Sequence, residues 1–185
     1  MLTLAKSKRF ALAIDSRKCI DCKACVVACR AENAVPVAKS RNWINEELKG
    51  EWPRLLEVSE PEQCHHCEDP ACVRVCPTGA SRQRPDGIVE INADDCIGCR
   101  YCMVACPYDA RFFREDLGVV EKCDLCAHRI DRGELPACVE TCPSKVRVFG
   151  DLMDPASEIS QLLGKRQFRM KKNEAGTGPQ IYYLL

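Results

Sequence analysis

The hydrophobic positions of this chain fall into short runs. Phe10 to Ile14 is apolar throughout and predicts a strand, and Val146 to Gly150 is a similar run near the other end. After Cys25 the sequence Val-Val-Ala-Cys-Arg-Ala-Glu favours a short helix that ends near Asn33, and a second helix is expected from Pro155 to Leu163. The pattern therefore indicates an α+β fold built from short elements.

Between these runs, alternating segments predict three β-hairpins. They lie at 43–58 with a turn at Lys49-Gly50, at 80–91 with a turn at Pro85-Asp86-Gly87, and at 110–122. The apolar segment Ile181 to Leu185 could add a strand to a sheet or dock on a neighbour. Docking is favoured, because an exposed Tyr-Tyr-Leu-Leu segment would be a liability.

Composition changes this picture, because 16 of the 185 residues are cysteine. Without them the apolar fraction falls from 46% to about 37%, which is low for a conventional core. We therefore expect inorganic clusters to occupy the middle of the fold and metal binding to be coupled to folding.

The cysteines form four quartets with none left over. They are Cys19, Cys22, Cys25 and Cys29; Cys64, Cys67, Cys72 and Cys76; Cys96, Cys99, Cys102 and Cys106; and Cys123, Cys126, Cys138 and Cys142. The third quartet, followed by Pro107, is the CxxCxxCxxxCP run of bacterial ferredoxins. Its first three thiolates can surround one cluster, whereas the fourth lies one helical turn further on and binds the other cluster of a two-cluster ferredoxin. Such quartets are expected to work in pairs.

The order of the quartets predicts two bacterial-ferredoxin-like modules, one inserted into the other. Residues 61–110 carry the second and third quartets and form the inserted module. The first and fourth quartets are expected to pair across it, which makes residues 1–60 and 111–150 the outer module. Residues 151–185 are expected to form a C-terminal docking tail.

Disulfides and zinc are the alternative explanations for so many cysteines. A disulfide-rich secreted chain is disfavoured, because no signal peptide is apparent and cysteines this closely spaced make poor structural disulfides. Four Cys₄ sites would satisfy tetrahedral zinc, but zinc ribbons pair two CxxC units and have no use for a CxxCxxCxxxCP run. The pattern therefore favours iron–sulfur clusters.

Charge and motifs exclude several functions. The formal net charge is zero, but four oxidised [4Fe–4S] cores, each held by four thiolates, would bring it to about −8. No basic tract indicates nucleic acid binding, and no apolar run approaches the roughly 18 residues that span a bilayer.

No catalytic residue is predicted. His65, His66 and His128 lie beside complete cysteine sets, and the Asp94-Asp95 pair has no nucleophile nearby. Arg100, Lys122 and Arg129 could tune cluster potentials or be solvated.

Taken together, these motifs make the chain resemble the four-cluster iron–sulfur subunits of the dimethyl sulfoxide reductase family of molybdenum or tungsten enzymes. Within that family it looks most like the electron-transfer subunit of polysulfide and thiosulfate reductases. The resemblance runs from about Arg9 to Gly150 and is most specific at 63–80, 106–111 and 122–142. Cys99 stands where nitrate reductase relatives carry tryptophan and a three-iron cluster, so the resemblance implies four [4Fe–4S] clusters.

The resemblance also implies which cysteines bind each cluster. The implied sets are Cys19, Cys22, Cys25 and Cys142 for cluster 1; Cys29, Cys123, Cys126 and Cys138 for cluster 2; Cys64, Cys67, Cys72 and Cys106 for cluster 3; and Cys76, Cys96, Cys99 and Cys102 for cluster 4. In the family, electrons pass between a large molybdopterin-binding catalytic subunit near cluster 1 and an integral membrane, quinone-binding subunit near cluster 4.

The resemblance thus implies a non-catalytic electron-transfer subunit of a complex of anaerobic respiration. With no export signal of its own apparent, it is expected on the cytoplasmic face of the membrane, or on the periplasmic face through a signal-bearing partner. The alternative is a free polyferredoxin that shuttles electrons between separate enzymes. That alternative is disfavoured, because a shuttle has little use for the extra hairpins and the long tail.

Overall fold

The computed structural model describes residues 8–185, so the first seven residues of the predicted outer module lie outside it. The strands and helices, all short except one hairpin, are β1 (Phe10–Ile14), α1 (Ala24–Glu32), β2 (Asn42–Glu51), β3 (Arg54–Gln63), α2 (Ala71–Arg74), β4 (Ser81–Gln83), β5 (Val89–Ile91), α3 (Tyr101–Val104), β6 (Arg111–Arg114), β7 (Val119–Lys122), α4 (Ala127–Ile130), α5 (Ala137–Glu140), β8 (Arg147–Asp151), α6 (Glu158–Lys165), β9 (Phe168–Arg169) and β10 (Ile181–Leu184). The predicted α+β class with short elements is confirmed.

A four-stranded sheet joins the two ends of the chain in the order β8-β1-β10-β9. β1 pairs antiparallel with β8, from Phe10 opposite Asp151 to Ile14 opposite Arg147. Its other edge pairs in parallel with β10. Residues 181–184 therefore add a strand to the sheet of their own chain, which is the alternative that the sequence did not favour.

The sheet separates two layers, as the alternation of side chains along β1 requires. Ala11 and Ala13 face α6 and pack against Ile159, whereas Leu12 and Ile14 face the cysteine-rich layer. α6 begins at Glu158 rather than Pro155, because Ser157 caps it by accepting a hydrogen bond from the Ser160 N–H. The apolar layer between sheet and cysteines is what holds the cluster-binding loops to a rigid element.

Three hairpins form as the alternation predicts, but the first is longer than expected. β2 and β3 pair over ten residues each, and Glu51 opposite Arg54 places the turn at Trp52-Pro53. Gly50 instead lies within the strand pair, where a Cβ atom would collide with the Arg54 carbonyl oxygen. The predicted turn at Lys49-Gly50 is wrong, because the glycine serves close strand contact and not chain reversal.

Candidate iron–sulfur sites

The loops that carry the cysteines turn sharply through residues with left-handed backbone. Lys23, Arg100 and Cys126 have φ of 56°, 64° and 54° and immediately precede α1, α3 and α4. Such a residue reverses the chain within one CxxC unit, so that successive sulfur atoms face a common centre. At Gly98 a Cβ would lie 2.5 Å from the Gly118 carbonyl oxygen, so the third cysteine loop can approach the neighbouring hairpin only with glycine there.

Twelve of the sixteen cysteines line three separate recesses, each with about 320–340 Å³ of empty space. The sets are Cys19, Cys22, Cys25 and Cys142 at site 1; Cys64, Cys67, Cys72 and Cys106 at site 3; and Cys76, Cys96, Cys99 and Cys102 at site 4. Each site brings together three cysteines of one quartet and the last cysteine of another.

The remaining four cysteines, Cys29, Cys123, Cys126 and Cys138, meet in the interior and are here called site 2. Asn33 Nδ2 lies 3.7 Å from both Cys29 Sγ and Cys126 Sγ. Burial raises the pKa of Cys29 to about 12, and the nearby Cys138 and Cys126 thiols add to the rise. Cys29 therefore lies with three cysteines of the last quartet and away from its own.

The four sites follow one another in numerical order. Burial raises the pKa of Cys138 at site 2, and Cys25 of site 1 is close enough to raise it further. Burial likewise raises the pKa of Cys123 at site 2, to which Cys64 of site 3 adds. At site 4 the same holds for Cys102, to which Cys72 of site 3 adds. Sites 1 and 2, sites 2 and 3, and sites 3 and 4 are thus neighbours, and the exposed cysteines are Cys22 at site 1 and Cys99 at site 4.

The donor sets fit [4Fe–4S] clusters. All sixteen cysteines are free of disulfides, and backbone N–H groups point at ligand sulfur: Ser81 N–H donates to Cys76 Sγ at 3.3 Å and Val146 N–H to Cys142 Sγ at 3.3 Å. Such bonds stabilise negative charge on sulfur. Arg111 Nη1 is buried beside sites 3 and 4 and has no hydrogen-bond partner within residues 8–185. A sulfur-rich anion in those recesses would supply the missing acceptor.

Two family models, both described as a 4Fe-4S dicluster domain, match residues 57–152 and 18–81. The chain belongs to the 4Fe-4S dicluster family. This dicluster protein is 43% identical over 180 residues to the B subunit of the tetrathionate reductase of Salmonella typhimurium, in a match that covers 95% of this chain and 72% of the relative. The bacterial-ferredoxin-like fold and the [4Fe–4S] cofactor predicted from the sequence are confirmed.

Two further relatives are iron–sulfur subunits by name. The B iron–sulfur subunit of a putative dimethyl sulfoxide reductase of Halobacterium salinarum is 40% identical over 205 residues, 95% of this chain and 78% of its own length. The first iron–sulfur subunit of an Hdr-like menaquinol oxidoreductase of Archaeoglobus fulgidus is 40% identical over 230 residues, 96% and 84% of the two chains. The resemblance to reductase iron–sulfur subunits is confirmed. Among the described residues no helix is both long and apolar enough to cross a membrane.

The two adjacent histidines of the dicluster protein have structural contacts. His66 Nδ1 accepts a hydrogen bond of 3.0 Å from the Val89 N–H, which ties the second cysteine loop to β5. The His65 ring stacks on Tyr108 with centroids 3.9 Å apart, and burial lowers its pKa to about 3. Both side chains thus brace the second cysteine loop.

The cations that sequence reasoning considered have different surroundings. Arg129 forms ion pairs with Glu32 and Glu140, and Arg100 lies 3.8 Å from the Phe113 ring centroid. Lys122 is buried, and its Nζ donates to the Cys123 carbonyl oxygen at 2.6 Å. Of the three, only Lys122 lies buried against the backbone of a site cysteine.

Sequence reasoning missed two buried cations, Arg111 and Arg147. Each begins a strand, β6 or β8, and each lies five residues after the last cysteine of a quartet, Cys106 or Cys142. This repeated spacing is the signal that could have found them.

Proposed function

We propose that this protein relays single electrons through four [4Fe–4S] clusters between a molybdopterin-binding catalytic subunit and a quinone-reactive membrane subunit. The observation that carries the proposal is the convergence of sixteen cysteines into four all-cysteine sites arranged in a row. The two relatives named as B subunits of reductases support a partner that performs the chemistry, and the relative named as part of a menaquinol oxidoreductase supports a quinone as the other redox partner.

In this proposal the cysteine sets of sites 1 to 4 are the ligands of clusters 1 to 4. A [4Fe–4S] cluster supplies a one-electron redox couple. The chain itself binds the clusters, spaces them and shields the inner ones: Cys123 of site 2 and Cys64 of site 3 are both buried, whereas Cys22 of site 1 and Cys99 of site 4 are exposed. Electrons would therefore enter and leave at the two ends of the row.

We also propose that the domains are nested. Residues 61–110 would form the inserted module, because sites 3 and 4 take cysteines from the second and third quartets alone. Residues 1–60 and 111–150 would form the outer module, which the antiparallel pairing of β1 with β8 supports. The segment 151–185 would complete the outer module through α6 and β10.

The partner subunits are proposed to cover the exposed ends. At site 1 the registered pair Ile44 and Pro61 lines the recess, and the same face of the β2–β3 hairpin continues outward to Leu48 and Leu55, which are exposed. This face also carries Glu46 and Glu57. Together with Ile20 beside the recess, it is assigned to the catalytic subunit. At site 4, Ile97, Tyr101 and Val104 are exposed near Cys99 and are assigned to the membrane subunit.

Iron analysis tests the cofactor count most directly. The purified holoprotein is expected to contain about 16 iron atoms and a similar amount of acid-labile sulfide per chain. About four zinc ions per chain would instead support structural Cys₄ sites and would contradict the proposal. The measurement is elemental analysis of the protein expressed with its partner subunits and purified without oxygen.

Charge placed at one end of the row should release one partner. Ile20 and Ile97 are 66% and 67% exposed, so glutamate at either position is compatible with the fold. Ile20→Glu is expected to weaken binding of the catalytic subunit at least tenfold, and Ile97→Glu that of the membrane subunit, because a carboxylate must be desolvated in an apolar interface. Affinity pull-down of each partner, at equal iron content, measures both effects.

The matched control is Met153→Glu, at an exposed apolar position in the loop after β8. It should leave both partners bound. If the protein were a free polyferredoxin, no subunit would be tightly bound to it. Neither Ile20→Glu nor Ile97→Glu would then change the pull-down, which would contradict the proposal.

A further inference from the structure

Arg147 and Arg111 are buried at equivalent places in the two halves of the protein. Their exposed fractions are 3% and 4%, and each is the first residue of the strand that follows a Cys-Pro turn. A buried arginine normally needs a carboxylate or a similar anion beside it, because an unpaired charge is costly to desolvate. The groups that meet these two arginines are cysteine side chains, which are thiolates when they bind iron.

Arg147 lies between sites 1 and 2, since it begins β8, and β8 contacts α5, the helix that carries Cys138 of site 2. Its Nη2 is 4.0 Å from Cys25 Sγ of site 1, and it lines the site 1 recess. Burial disfavours its charge, but Cys138 of site 2 and Cys25 favour it and raise its pKa. A further hydrogen bond, to Gln63 Oε1, fixes the guanidinium in this position.

Arg111 lies between sites 3 and 4 and lines both recesses. Its Nη2 donates to Ser81 Oγ at 2.9 Å, which anchors the guanidinium to β4. Burial again disfavours the charge, and Cys72 and Cys64 of site 3 together with Cys102 of site 4 favour it. The charge of Arg111 is therefore shared by two neighbouring sites, as that of Arg147 is.

Such a shared cation has a defined effect on electron transfer. An oxidised [4Fe–4S] core with four thiolates carries about −2, and reduction adds one more negative charge. In a buried site of low dielectric constant, a nearby positive charge stabilises the reduced state strongly. Arginine does not lose its proton in proteins, so its contribution persists at every working pH.

We propose that Arg147 raises the reduction potentials of clusters 1 and 2, and that Arg111 raises those of clusters 3 and 4. The inference rests on the proposed ligation and relay. Because each arginine acts on both members of a pair, the potentials within a pair rise together, and the difference between them changes little. The two arginines are positioning residues of the relay, since they act through the clusters.

The test is a redox titration of the assembled complex, followed by electron paramagnetic resonance, for the variants Arg147→Gln and Arg111→Gln. Each variant should lower two of the four reduction potentials by at least about 59 mV, which corresponds to a tenfold change in the equilibrium constant for one-electron reduction. The two clusters whose potentials fall in one variant should be the two whose potentials are unchanged in the other. This complementarity is decisive without any assignment of signals to clusters.

Matched lysine variants separate charge from packing. Arg147→Lys and Arg111→Lys keep the positive charge, so all four potentials should stay within about 59 mV of the unaltered protein. If a glutamine variant loses iron, the lysine variant at the same position is used for the test. A change of about 59 mV or more in a reduction potential of that lysine variant would overturn the role of charge.

Two results distinguish this inference from the proposed function. The role of the arginines would be overturned if both glutamine variants kept their full iron content and unchanged potentials, or if all four potentials changed together. Either result would leave the proposed relay standing. An unaltered protein with far fewer than about 16 iron atoms per chain would overturn the proposed four-cluster relay.

Discussion

Cys29→Ser is expected to damage cluster 2 and to leave cluster 1, the cluster of its own quartet, intact. Cys29 lies near the end of α1, and Asn33 bridges its sulfur to that of Cys126. Serine binds iron less well than a thiolate does, so site 2 should bind its cluster weakly or lose an iron atom. Site 1 retains four cysteines, because Cys142 lines its recess.

The reciprocal variant, Cys142→Ser, is the matched control. It should damage cluster 1 and spare cluster 2, although Cys142 belongs to the same quartet as Cys123 and Cys126. Electron paramagnetic resonance of the reduced proteins, with iron counts, reports which of the four signals is lost. If Cys29→Ser and Cys142→Ser each removed the cluster of their own quartet, the crossed ligation would be refuted.

The crossing of quartets was anticipated from the resemblance to two-cluster ferredoxins, in which the last cysteine of such a run binds the other cluster. In CxxCxxCxxxC the last cysteine lies a helical turn beyond the third, and in this protein α1 begins between Cys22 and Cys25 and ends beyond Cys29. Cys25 nevertheless lines site 1, whereas Cys29 lies at site 2 beside Cys126. The existence and type of most strands and helices followed from the apolar pattern, although several of their boundaries did not.

Features that depend on specific contacts, and not on the alternation of apolar residues, could not be predicted in this way. The turn of the long hairpin was misplaced because Gly50 is set by close approach to Arg54 across the strands, which the local sequence does not reveal. The start of α6 moved to Glu158 because Ser157 is its cap. Arg111 and Arg147 were overlooked because β6 and β8 were predicted from their apolar residues. The two arginines are distinguished by the pair of sites that each one lies beside, which the sequence does not show.

The C-terminal strand is the clearest case. Ile181 to Leu185 contains two tyrosines and three aliphatic residues, which suit either an interface or a sheet. β10 lies between β1 and β9, and its partner β1 is more than 160 residues away in the sequence. Only the fold shows that the open edge of β1 belongs to this strand. Removal of everything after Gly150, which would test a docking tail, would therefore also remove β9 and β10, two of the four strands of the sheet.

Tyr183→Ala should destabilise the holoprotein by about 3–5 kcal/mol, as expected for the loss of a buried aromatic side chain. Tyr183 is 2% exposed, pairs in register with Ile14 and packs in the layer that contains Cys64 and Cys123. Its hydroxyl donates to the Pro61 carbonyl oxygen at 3.1 Å, which ties the sheet to β3, the strand that leads into the second cysteine loop. A loss of this size is a large part of the stability of a typical domain. Visible absorbance of the clusters during denaturation by urea measures it.

Two controls define what the tyrosine contributes. Tyr183→Phe removes one hydrogen bond and keeps the ring, so its cost should be about 1 kcal/mol. Leu185→Ala lies one residue beyond β10 at a position that is 55% exposed, and it should change the stability by less than about 0.5 kcal/mol. If Tyr183→Ala released a partner subunit while the urea midpoint stayed unchanged, the C-terminal strand would be a docking element after all. Equal loss in all three variants would indicate that the chain end acts as a whole, without a specific role for the buried ring.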